Sequence, residues 1–129
     1  MANDFVAMGS AIYSVLNAAG TVSVYQDIAP QGGTPPYAIF GRLVANDTHH
    51  MAAGESGVDA DYMVKVISNR TYSGEAQTIY GHLHDAMDNA ALSVSGYTLL
   101  RCRRDSTLSF RDDEEFWHVG GIYGISIHE

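Results

Sequence analysis

Every proline of this chain lies within thirteen residues, Tyr25-Gln26-Asp27-Ile28-Ala29-Pro30-Gln31-Gly32-Gly33-Thr34-Pro35-Pro36-Tyr37, with two adjacent glycines among them. Proline has no N–H to give to a helix interior or a central strand, and its ring fixes φ. The residue before each proline is driven to an extended conformation. The stretch therefore reads as a stiff corner. A short strand over 22–25 enters it, and a new strand leaves it at Tyr37.

Upstream of the corner, Phe5, Met8, Ile12, Leu16 and Ala19 recur at helical steps behind a candidate N-cap, Asp4. Gly20 is a natural stop, so the first helix spans 5–19, with Tyr13 and Val15 widening its apolar face. Gly9 interrupts it at about 1 kcal/mol against Ala and reads as tolerated strain rather than a close backbone approach. Downstream, 37–44 is rich in aromatic and branched residues and reads as a strand. Residues 45–59 have no apolar period and read as a long loop, of the kind that is functional or mobile in a compact domain.

A third strand spans 61–69. It is partly apolar on both faces, Tyr62, Val64 and Val66 on one and Met63 and Ile67 on the other, which suits a central strand or one covered on its second side by another subunit. Ser73-Gly74-Glu75 opens a second helix with the stripe Ala76, Ile79, Leu83, Met87 and Ala90. Residues 89–95 read as a turn. Strands follow at 97–105 and 115–127, the latter with Trp117, Val119, Tyr123, Ile125 and Ile127 on its more apolar face. The order predicts an α+β fold: a mostly antiparallel sheet of about five strands with two helices on one face, in a single domain spanning 1–129.

Catalytic patterns are missing. His49 and His50 are adjacent, and His82 and His84 fall on opposite sides of a helix, so neither pair suits a metal. Cys102 stands opposite both Arg101 and Arg103 in an alternating strand, so a buried thiol is expected there. Its solitude excludes an intrachain disulfide and suits a reducing compartment. Asp112-Asp113-Glu114-Glu115 reads as a solvated hairpin turn, not a calcium loop. Gly32-Gly33 opens a strand and Gly120-Gly121 lies inside one, so neither cradles a phosphate. No catalytic residue, cofactor or metal is implied. The net charge of −8, with only seven Lys plus Arg, argues against a protein that grips nucleic acid. The start, Met1-Ala2-Asn3-Asp4, lacks the positive region of a secretory signal, and no apolar run is long enough to span a membrane.

The corner residues Tyr25, Pro30, Gln31, Gly32, Pro35, Pro36 and Tyr37, placed between a four-turn helix and a strand, resemble a family of long-tailed bacteriophage proteins. These are the tail-completion proteins, also called tail terminators or tail-to-head joining proteins. The closing run agrees: Arg111-Asp112-Asp113-Glu114, Trp117-His118 and Tyr123-Gly124-Ile125 are similar to the family's last strand. The resemblance implies a structural virion protein of the tail or neck, assembled in the host cytoplasm. It would cap the tail tube and join tail to head as a hexameric ring. The implied partners are further copies of itself, the tail-tube protein and a head connector or neck protein, with genomic DNA passing through the lumen unread. The alternatives are another head–tail connector or neck protein, or a small oligomeric ligand-binding domain or enzyme.

On this reading His49, His50, Met51 and Glu55 form a candidate assembly loop, mobile until it meets the tube or connector. Pro30, Gln31, Gly32, Pro36, Tyr37, Trp117 and Tyr123 form a candidate structural motif. Trp117 is expected in the core, where Trp117→Ala would cost about 3–5 kcal/mol.

Overall fold

The structure, a computed structural model, describes residues 4–19, 22–29, 31–50, 55–88 and 90–128, without the side chains of 4, 47–50, 55 and 56. Helix α1 runs Asp4–Ala19, then β1 Ser23–Gln26, β2 Tyr37–His50, β3 Glu55–Ser68, α2 Gly74–Met87, β4 Thr98–Arg111 and β5 Trp117–His128. The five strands form one sheet in the order β1-β2-β3-β5-β4. β1 pairs with β2 in parallel, and every other pairing is antiparallel. The α+β architecture expected from the sequence is the one observed.

Alternation decides what the helices cover. Phe40 from β2, Tyr62, Val64 and Val66 from β3, and Tyr123, Ile125 and Ile127 from β5 point to one face and are buried. Met8, Ile12 and Leu16 of α1 and Ala76, Leu83 and Met87 of α2 pack on that face in a single apolar cluster. The second helix buries Tyr80 as well, while Ile79 is only half-buried. Ser73 precedes it without making a side-chain cap bond. Leu92 and Val94 also enter the core, from the irregular segment before β4. The sequence reading treated that segment as a plain turn, because two alternating residues are too few to give a period.

Several expectations are corrected. Phe5 is 62% exposed, and Tyr13 also faces solvent. The apolar stripe of α1 drifts around the axis, so its first turn passes the edge of the sheet; there the Arg42 guanidinium lies 3.9 Å from the Phe5 ring centre. No backbone closely approaches Gly9, as expected; a Cβ there would meet only the Gln26 side-chain amide of β1, at 2.8 Å.

Residues 45–59 are not a structureless loop. β2 and β3 stay paired outward to His49↔Ser56 and His50↔Glu55. Polar residues are frequent there because a ladder needs only backbone groups, yet Val58 is buried in the core cluster and Ala45 packs against it. β4 likewise continues past the expected end at Asp105 to Arg111, through an irregularity between Arg104 and Ser106.

Candidate assembly surfaces

The corner is built from backbone constraints. Asp27 adopts φ 68 and donates its N–H to the Phe40 carbonyl at 2.7 Å, tying the exit of β1 to β2. Gly32 turns the chain at φ 86, which a side chain would resist. The Pro35–Pro36 peptide is cis. Tyr37 then starts β2 and packs edge-on against Tyr25, ring centres 5.8 Å apart. Gln31 and Gly32 are exposed, Pro36 and Tyr37 are half-buried, and Pro30 lies outside the described residues. Ile28 is 78% exposed beside them. The corner thus positions β1 and β2 and presents an apolar knob.

The expected assembly loop falls at the tip of the β2–β3 hairpin. His49, His50 and Glu55 belong to the paired backbone, while Met51 lies outside the described residues. Leu43 and Val44, further down the same hairpin, are 52% and 49% exposed.

Trp117 and Tyr123 share a face of β5 but not a role. Tyr123 is fully buried. Its hydroxyl lies 2.7 Å from that of Tyr80 and 2.8 Å from His84 Nδ1. Arg104 bonds Tyr80 from the other side. Arg104, Tyr80, Tyr123 and His84 form a connected hydrogen-bond set, and His84 Nε2 lies 3.9 Å from Asp88 Oδ2. Burial and the Tyr80 bond hold the Tyr123 hydroxyl far above its ordinary pKa, so it stays protonated. This set fastens α2 to β4 and β5. Tyr80 and Tyr123 are buried within it, while Arg104 is exposed and His84 and Asp88 are partly exposed.

Trp117, expected in the core, is only half-buried. It stands at the first position of β5, and its indole N–H donates to the Thr71 carbonyl at 3.2 Å. Cys102 is buried, as its strand phase required. Its thiol bonds the Met87 carbonyl, and burial pushes its pKa up to about 11. That protonated, enclosed sulfur is a poor nucleophile. Among the described residues no group of three or more His, Cys, Asp or Glu could hold a metal ion, and no helix is long and apolar enough to cross a membrane.

What the molecule exposes is uncovered sheet. On the face that carries no described helix, Ile39 and Ile67, in register with Lys65 and Tyr37, are themselves buried, while Leu43 and Phe110 are exposed. The Lys65 stem lies along this apolar strip, and burial lowers the pKa of its ammonium. Phe110, 46% exposed, stacks on His118 at 4.6 Å. Among the described residues no strand pairs with the outer edge of β4; Asp88 accepts the Arg104 N–H there, and Leu100 is 59% exposed. Between β4 and β5 the acidic turn is held tightly. Asp112 Oδ1 accepts the N–H groups of Glu114 and Phe116, and Oδ2 lies 2.7 Å from His118 Nε2. The His118 bond, then the Phe116 N–H, lower the Asp112 pKa. Asp113, Glu114 and Glu115 are left facing solvent.

A sheet edge strand with projecting apolar side chains is a surface that a partner can cover. The model of the family "Tail completion protein gp17" matches residues 8–121, and the chain belongs to that family. It is a structural protein of the virion tail. Among solved structures, a chain from the "Virion of native gene transfer agent (GTA) particle" is similar, with a TM-score of 0.86. The two share 17% identity, and the match covers 100% of each chain. No curated protein matches the sequence.

Proposed function

We propose that this protein closes the end of the tail tube as a hexameric ring and joins the tail to the head. Family membership over residues 8–121 carries the reading. The fold likeness to a chain of a gene transfer agent virion supports it. So does the distribution of exposed sheet, because β4 and the β1 side of the sheet differ and a ring needs two unlike surfaces on each copy. The whole chain acts as one such subunit. The tail-tube protein meets one rim of the ring and a connector or neck protein meets the other, with the β2–β3 hairpin tip, including His49, His50, Met51 and Glu55, reaching one of them.

DNA crosses the lumen without being read. A chain of net charge −8 has too little basic surface to hold phosphates, and acidic walls let a polyanion pass. The test is to add purified protein to tail tubes from particles that lack it. Electron microscopy is expected to show one ring at one end of each tube. Decoration along the tube wall, or no binding, would contradict the reading.

A further inference from the structure

We propose that the exposed start of β4 receives the acidic β4–β5 turn of a second copy, with Arg101 and Arg103 of one subunit facing Asp113 and Glu114 of the next. The inference deepens the ring reading above and rests on it.

Charge is distributed unevenly. The chain has seven Lys plus Arg, and four of them (Arg101, Arg103, Arg104 and Arg111) lie on β4. Arg104 is engaged by Tyr80. Arg101 and Arg103 are exposed; the Arg101 guanidinium shares the space over Gly124 with the Asp105 carboxylate, and Arg103 makes no ion pair among the described residues. Among the described residues no strand pairs outside β4, where Asp88 accepts the Arg104 N–H and Ala90 and Ala91 lie beside Leu99 to Arg103; exposed Leu100 adds an apolar contact next to the two arginines.

The complementary surface is the turn. Asp113 and Glu114 are exposed and unpaired, and Glu115 reaches Arg111 only at 3.9 Å. The turn is already shaped, because Asp112 ties it to the Glu114 and Phe116 N–H groups and to His118. A preorganised loop loses little entropy on docking. The two surfaces cannot neutralise each other within one molecule. Eight steps along β4 separate Arg103 from Arg111, about 27 Å at strand rise, and Asp113 lies in the turn beyond. Basic start and acidic end therefore suit a head-to-tail contact between copies, the heterologous kind that closes rings.

Two charge-reversed proteins test this. One carries Arg101→Glu and Arg103→Glu; the other carries Asp113→Lys and Glu114→Lys. All four sites are on the surface, and circular dichroism verifies folding. Arg101→Gln with Arg103→Gln replaces the first protein if reversal disturbs the strand. Each reversed protein alone is expected to associate about tenfold more weakly per contact than the parent. Mixed in equal amounts, the two recover association, because every contact then joins opposite charges. Alternation fits an even-numbered ring.

If the parent forms rings and the reversed proteins form them equally well, this contact is wrong and the ring reading stands. If the parent never forms rings, with or without tail tubes, both are wrong. If the Arg101 and Arg103 changes leave association intact but abolish binding to a fluorescent DNA duplex, β4 is a nucleic-acid surface and the proposal is overturned.

Discussion

The hydroxyl of Tyr123 is buried between Tyr80 and His84, so removing it strands two partners at once. Tyr123→Phe is expected to lower stability by about 1–3 kcal/mol, read from denaturant unfolding. A change within 0.3 kcal/mol (roughly the noise of such a measurement) would show that the bonds contribute nothing. Trp117 is a smaller matter than its composition suggests. At half burial, Trp117→Ala should cost about 1–2 kcal/mol and leave a folded protein by circular dichroism and size exclusion. Sequence placed both aromatics on the right face of β5. It could not show that the core ends before Trp117, because alternation reports a face and not a depth.

Asp112 gives a pH signature. Its bonds to His118 and to backbone N–H groups depress its folded-state pKa below the ordinary value of about 4. That stabilisation is present above the ordinary value and is lost as pH falls through the depressed one. Unfolding midpoints should therefore fall on acidification below about pH 4, and Asp112→Asn should flatten that part of the profile. An unchanged slope in the variant would contradict the role.

At the scale of elements, the β2–β3 hairpin divides into two regimes. From Gly57 to Ser68, β3 is flanked by β2 and β5. Beyond Gly57 the hairpin is a two-stranded ribbon, which is marginal on its own. Hydrogen exchange is expected to be slow over 58–67 and fast over 46–50. Uniform slow exchange to the tip would show that something further holds it. Gly120 marks another constraint: a Cβ there would collide with the Val64 carbonyl and the Lys65 backbone. Gly120→Ala should cost about 1–3 kcal/mol by chemical denaturation, or prevent folding. Full stability would mean that β3 and β5 are less closely apposed.

The helices, the corner and the central position of β3 were legible because each leaves a local mark: a 3.6-residue period, clustered prolines, two apolar faces. The outer halves of β2, β3 and β4 were not. Polar residues such as Asn46, Asp47, Ser106 and Thr107 pair there through the backbone, and the few apolar core residues among them, such as Val58 and Ala60, are too sparse to give a period. Pairing of that sort leaves no trace in hydrophobic pattern. The burial of Leu92 and Val94 was hidden for the converse reason: tertiary contact selects them, without regular structure around them.

For the whole molecule, function was legible through family likeness and not through chemistry. The carboxylates, histidines and thiol show no catalytic spacing in sequence, and the structure uses His84, Asp112 and Cys102 in internal bonds. The surfaces left over point to assembly. If charge pairs at the subunit contact help to close the ring, association should weaken between about 0.05 and 0.5 M salt, as screening shortens to a few ångströms. The measurement that bears most directly on the account is the mass and symmetry of the protein at the end of a tail tube, from native mass spectrometry of the free protein and image averaging of the complex. The account predicts six copies in a closed ring with an open lumen. A strict monomer, both free in solution and in the presence of tail tubes, would contradict it.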